Sequence, residues 1–325
     1  MKNKIINLRR NNMRVFVILI IIFINFNFLY ADFDYGFDFS KAGSAGSQFL
    51  KIGVGARETG MGEAVSAVTN DINSIFWNPA GIGYVNEMQV SAIHNEWLCE
   101  SQHDAVALAF PFKSYAIGLS LVNFRIKEFE ETTVTMPEGT GNIINAGDIL
   151  VGLAVARKFS DKLNIGLQLK YLQENLADSV FSNVLFDIGT VYYTGFHNVR
   201  LAFTFQHFGP DVKLGDQKFR MPLLFRIGVA EDIIKNENMI WTVAFDLVHP
   251  TDNSEYVNLG TEYTIWNSFS LRAGYRTNVN YGELSIGGGI NISIFKKANL
   301  VIDYAYIPFD NAFENNSRFG LKFTF

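Results

Sequence analysis

The chain has 325 residues, of which 48% are hydrophobic and 18% charged, with a formal net charge of −5 and one cysteine. The acidic balance argues against nucleic acid as a partner. The lone Cys99 excludes an internal disulfide framework and any cysteine-rich metal site.

In chain order, the first segment is a leader. Lys2, Lys4, Arg9, Arg10 and Arg14 precede an uncharged apolar run from Val15 to Phe28, and Ala31 offers a cleavage point. Residues 1–31 therefore read as a secretory signal peptide. Its removal takes Lys+Arg from 27 to 22 against 32 Asp+Glu, a net charge near −10. No later apolar run reaches the roughly 18 residues that a spanning helix needs.

Residues 32–87 form a second, mostly non-strand segment. From about Gln89 the hydrophobic period becomes two. Leu163, Ile165, Leu167, Leu169 and Tyr171 alternate with Asn164, Gly166, Gln168 and Lys170. Leu284, Ile286, Ile290, Ile292 and Ile294 alternate in the same way with polar residues and glycine, as do Phe319, Leu321, Phe323 and Phe325. Such alternation marks strands with two different environments. It predicts about fourteen strands over residues 88–325, with cores near 89–94, 104–112, 115–125, 148–158, 163–175, 183–193, 199–208, 222–231, 239–248, 255–264, 269–276, 283–294, 300–307 and 318–325. Most are long enough to cross a bilayer at a tilt of about 45°, which takes roughly 9–11 residues.

The connections alternate between short and long, and aromatics gather beside the short ones: Phe112 and Tyr115, Phe159, Tyr192 and Tyr193, Trp266 and Phe269. Short periplasmic turns, longer external loops and aromatic girdles are the pattern of an outer-membrane barrel. The expected fold class is all-β, a transmembrane antiparallel β-barrel in the bacterial outer membrane, with outer-membrane lipid around it. A soluble exported sandwich with adhesive function is the competing architecture.

Residues that could carry chemistry are sparse. None of the five histidines has a metal-binding spacing, and Cys99 with His103 reads as a chance pair. Gly287, Gly288 and Gly289 lie inside a strand, where they permit bending or close approach. The expectation is no enzyme activity, no cofactor and no metal. Arg226, Asp246, Glu262, Arg272 and Arg276 fall on the face assigned to the lumen, as do Arg200, Gln206, Asp303 and Lys322, and mixed charges there are expected to pair and hold the barrel's shape.

The stretch from Asp71 to Gly83 (DINSIFWNPAGIG) is the least strand-like. Asn70 or Asp71 suits an N-cap, Pro79 ends the turn before it, and Gly81 and Gly83 are expected to supply a tight bend, so that a β-branched residue in place of Gly81 would impose strain if its φ is positive. With Ser47, Gly53, Gly55, Arg57, Gly60, Met61, Gly62, Glu63, Ala64 and Asp71, the run Asn78, Pro79, Ala80, Gly81 resembles the N-terminal signature of the PorV/PorQ family. The N-P-A-G element also resembles FadL-type fatty-acid transporters. The resemblance implies a fourteen-strand barrel with the N-terminal segment, a short helix included, folded into the lumen as a hatch.

It also implies a function. PorV-like proteins are shuttles of type IX secretion that receive exported cargo and deliver it to the surface. The implied partners are secreted cargo proteins or secretion-system components, and under the FadL-like alternative a hydrophobic small molecule diffusing through the wall. Polar inward positions such as Gln168, Lys170 and Lys322 leave no long apolar track through the strands, though the hatch could supply one. Residues 126–147, with Glu128, Glu130, Glu131 and Glu138, offer an acidic external rim. The reading favours protein binding at the external end.

Overall fold

The structure, a computed structural model, describes residues 41–68, 70–214, 217–295, 298–309 and 314–325. The leader at residues 1–31 and the first residues of the next segment, 32–40, lie outside them.

The predicted alternation becomes strand at all fourteen places. The strands are β1 (Gln89–Glu96), β2 (Gln102–Pro111), β3 (Tyr115–Arg125), β4 (Phe129–Glu130), β5 (Ile143–Ile144), β6 (Ala146–Lys158), β7 (Leu163–Leu176), β8 (Ser179–Tyr193) and β9 (Arg200–Phe208). They continue with β10 (Val212–Leu214), β11 (Gln217–Phe219), β12 (Leu224–Lys235), β13 (Met239–Pro250), β14 (Tyr256–Ile265), β15 (Phe269–Arg276), β16 (Leu284–Phe295), β17 (Ala298–Ile307) and β18 (Asn316–Thr324). Two pairs, β4–β5 and β10–β11, are small hairpins within long connections. The other fourteen pair antiparallel in sequence order, and β18 closes the ring on β1. Closure leaves no unpaired edge, which a bilayer requires.

The direction of the alternation distinguishes a membrane barrel from a soluble sandwich. Along β6, Ile149, Val151, Leu153 and Val155 face outward and are exposed, while Asp148, Leu150, Gly152, Ala154 and Ala156 are buried inward. On β7, Leu167, Leu169 and Tyr171 are exposed and Asn164, Gln168 and Lys170 are buried. Apolar outside and largely polar or small inside is the arrangement for lipid. The aromatics by the short turns are also outward and exposed: Phe112 and Tyr115 stack at 4.7 Å, and Phe159, Phe196, Trp266 and Phe269 stand beside them along the same rim. The chain is a fourteen-strand barrel of the bacterial outer membrane.

The interior is filled. The segment before β1 forms a 3₁₀ turn (Gln48–Lys51), a short α-helix (Ala56–Gly60) and two further 3₁₀ turns (Ile72–Phe76 and Pro79–Tyr84). Its residues are almost all buried. In the half of the lumen nearer the long loops, Phe49, Leu50 and Val54 pack with Val122, Leu172 and Leu185 of the wall. Part of the inner wall is therefore apolar, more than the polar inward positions lead one to expect, because its partners are hatch side chains that only the fold brings opposite.

A closed sheet with lipid-facing aliphatics predicts heat-modifiable migration in detergent gels. Val151→Arg, near the middle of β6 on the lipid face, should cost about 2–4 kcal/mol in reversible unfolding from bilayers, whereas Gln168→Lys on the inward face should not show that depth-dependent loss.

Candidate functional site

The candidate site is the hatch, the wall that receives it, and the external rim above. The hatch meets the wall at two glycine-lined faces. On the first, the turn after the short helix lies against β14, β15 and β16. A Cβ at Gly274 would come within 1.9 Å of the Gly62 nitrogen, and one at Gly260 within 2.3 Å of the Met61 carbonyl oxygen. Gly60 faces Gly287, where a Cβ would come 3.2 Å from the Gly287 Cα. Gly62 takes φ +62°, the left-handed region, and its N–H donates to Ser285 Oγ at 3.0 Å.

The second face receives Asn78, Pro79 and Ala80. A Cβ at Gly189 would come 2.0 Å from Asn78 Oδ1, and one at Gly166 within 2.3 Å of the Pro79 carbonyl carbon and the Ala80 nitrogen. Asn78 is fully buried. Its Oδ1 accepts from the Ala80 N–H at 3.1 Å, capping the turn. Its Nδ2 donates to the Ser66 carbonyl at 2.9 Å and to the Thr190 carbonyl of β8 at 3.1 Å. Asn78 thus ties two parts of the hatch to each other and to the wall. Asp71 caps the preceding turn, its Oδ1 accepting from the Asn73 N–H at 3.1 Å.

Gly81 and Gly83 do not supply the expected bend. Both lie inside the 3₁₀ turn Pro79–Tyr84, and neither has a positive φ. Proline at the first position starts the turn and Asn78 caps it, so no left-handed residue is needed there. Among the described residues, the glycines of the N-terminal segment with positive φ are Gly43, Gly55 and Gly62.

Six charged groups of alternating sign run across the lumen. Lys322 Nζ donates to Asp71 Oδ2 at 2.5 Å, and Arg57 Nη1 reaches the same oxygen at 3.1 Å. Arg57 Nε and Nη2 grip both oxygens of Glu262 at 2.9 and 2.7 Å. Arg272 Nε donates to Glu262 Oε2 at 2.6 Å, and its Nη1 to Asp303 Oδ1 at 2.7 Å. The second and third members, Asp71 and Arg57, belong to the hatch. The lumenal charges thus pair both with one another, as Arg272 does with Asp303 and Arg200 with Asp232, and with the hatch. Asp246 follows suit, its Oδ2 accepting from the Val65 and Ser66 N–H groups and from Ser66 Oγ at 2.6 Å. Arg276 lies 3.3 Å from Glu63 Oε1, and the Arg226 guanidinium stands 5.0 Å from the Trp77 ring. Sequence reasoning missed Glu58, Gly189 and Gly274; the signal available for the two glycines was their inward phase in the alternation.

Glu58 is a further carboxyl beside this chain. Burial, then Asp71, push it up to about 8, against the pull of Arg57. Burial also opposes ionisation of Asp71, but Lys322 and Arg57 outweigh it and hold that carboxyl below its usual value.

The external acidic residues are divided. Glu128 and Glu138 stand exposed. Glu130 Oε1 accepts from the Gly141 N–H at 2.9 Å, and Glu131 Oε2 accepts from Thr140 Oγ1 at 2.9 Å and Asn142 Nδ2 at 3.0 Å. These last two keep their charge and also shape the loop. Beside them Phe129, Val134, Met136 and Ile143 each expose more than half their surface.

Fold and site together define an outer-membrane β-barrel whose lumen is closed by an N-terminal hatch. A family model described as "Uncharacterised protein family (UPF0164)" matches residues 37–169, which carry the hatch and the strands to the middle of β7. No curated protein matches the chain. Among solved structures it is similar to the CymD monoaromatic hydrocarbon channel, at 12% identity and a TM-score of 0.60, covering 84% of this chain and 98% of that one. It is similar to the Pseudomonas putida toluene transporter TodX, at 12% identity and a TM-score of 0.56, covering 83% and 97%. At such identities the likeness establishes the fold alone.

Arg57→Met should break the charge chain at its centre and leave Glu262 and Asp71 each short of a partner. Losing one member of a buried pair costs about 3–5 kcal/mol, and the expected outcome is a raised single-channel conductance in planar bilayers. A pH dependence follows from Glu58. Unfolded, this carboxyl titrates near 4.5; in the hatch it keeps its proton to about 8. The stabilisation is complete below about 4.5 and is lost as pH rises towards 8. Wild-type conductance should therefore rise across that window, and Glu58→Gln should flatten the rise.

Proposed function

We propose that this barrel is a closed platform whose external end binds an exported protein, in the manner the PorV/PorQ resemblance implies for type IX secretion shuttles. The observation that carries the reading is the contrast between the two ends of the site. The lumen is packed and locked by ion pairs, while the connection between β3 and β6 projects with Phe129, Val134, Met136 and Ile143 open to water. Exposed apolar side chains grouped on a projecting loop favour a protein partner. Glu128 and Glu138 beside them favour a partner with basic side chains at its rim.

A second reading has its own support. The fold is shared with hydrocarbon channels, and Phe49, Leu50 and Val54 give the outer half of the lumen an apolar lining. On this reading the hatch would move to admit a hydrophobic small molecule.

Shortening the loop by deleting Phe129–Asn142 should abolish capture of secreted proteins while the barrel stays heat-modifiable. Hydrocarbon uptake by cells should not depend on the barrel. If the shortened form still captures every secreted partner and uptake of toluene falls when the barrel is absent, the channel reading replaces the platform.

A further inference from the structure

One part of the lumen is not accounted for by the hatch lock. Between the hatch and the wall strands β2, β3, β6, β7, β9 and β12 lies a cavity of about 40 Å³, whose polar wall-side lining includes Gln168, Lys170, Gln206, His207 and Arg226, with Val122, Leu150 and Leu224 beside them. Arg226 is 3% exposed. Its Nε donates to Gln206 Oε1 at 3.2 Å, and one face is covered by Trp77. Among the described residues its Nη1 has no hydrogen-bond partner, and no carboxylate oxygen lies within 4.0 Å of its guanidinium. The other two cations at the cavity are compensated: Lys170 by Asp187 at 2.6 Å, and Lys51 by Asp252 at 2.8 Å. Asp246, on the neighbouring strand, has Oδ2 committed to the Val65 and Ser66 backbone and Oδ1 without a hydrogen-bond partner among the described residues, and it makes no contact ion pair with Arg226.

We propose that this cavity binds a small monovalent anion, of chloride size, against Arg226 Nη1. A buried guanidinium with an unsatisfied N–H and no contact ion pair is among the costliest groups a fold can hold, and an anion beside it removes both deficits. Size sets the class. One water needs about 10–15 Å³ of such space, so the cavity takes an anion with one or two waters, whereas drug-sized ligands occupy about 300–1,000 Å³. A hydrocarbon would leave Nη1 unsatisfied, and a cation would face Lys170 and Arg226. A hydrating water has a second anchor in Gln168 Oε1, which is also without a partner among the described residues. The site is independent of whether the external end binds protein or the barrel conducts.

The test uses the full-length barrel in detergent. Crystals soaked in bromide should show an anomalous peak within hydrogen-bonding distance of Arg226 Nη1. In parallel, thermal unfolding at fixed ionic strength should give a Tm several degrees higher in chloride than in gluconate, an anion too large for the cavity. Arg226→Gln should lose that difference and Arg226→Lys should keep part of it. The proposal is overturned if the soaked crystals show only water at Arg226 or bromide only on exposed lysines, or if Arg226→Gln keeps the full chloride effect. The bromide experiment on the wild type decides the matter even where the glutamine variant does not fold.

Discussion

The structure depends on the bidentate contact between Arg57 and Glu262. Among the described residues Arg57 is the one hatch cation that touches two carboxylates, Asp71 within the hatch and Glu262 in the wall. Planar guanidinium matched to carboxylate fixes angle as well as distance. The helix carrying Arg57 is only five residues long and could not hold an orientation by itself. The ion pair orients it, and the glycines of β14, β15 and β16 then allow the following turn to lie flat on the wall. Charge and clearance therefore act together. Without close packing water would reach the ion pairs and screen them, and without the ions the packing would not select one position.

The rest of the lumen follows a division of labour. On the β14–β18 side the hatch is held by ions and by backbone contact. On the β7–β8 side it is held by side-chain amides, Asn78 against Gly189 and Asn164 donating to the Ala80 carbonyl, with Pro79 and Ala80 flat on Gly166. Towards the long loops it is held by apolar packing around Phe49 and Leu50. Three kinds of interaction on three sides leave little freedom to rock about any one of them. That is the physical basis for reading the barrel as closed.

Much of this was legible from residue order alone. Period-two alternation is a local signal, so all fourteen barrel strands and the inward phase of Arg226, Asp246, Glu262 and Arg272 could be read from it. The capping role of Asp71 was readable for the same reason, since the cap acts two residues away. What could not be read were contacts set by register across the barrel. Arg57 and Glu262 are 205 positions apart. Gly81 looked like the bend because it follows a proline, but a 3₁₀ turn runs straight through it, while Gly62, with nothing local to mark it, takes the left-handed backbone. The acidic loop shows the same limit. Glu130 and Glu131 look like free charges in a polar stretch, and only the folded loop shows that they cap its own N–H and side-chain donors.

The last strand has a bearing on how the molecule is made. β18 closes the ring on β1. It also carries Lys322, which completes the charge chain at Asp71, and Arg318, whose guanidinium donates to the Gly53 carbonyl. The seam therefore cannot close correctly around a misplaced hatch. A slip of one residue between β1 and β18 would turn every β18 side chain to the opposite face. Lys322 and Arg318 would then point at lipid, and Asp71 would lose a cation. Closing the seam in register and seating the hatch are thus one event, and a misregistered barrel carries its own energetic penalty from the moment it closes.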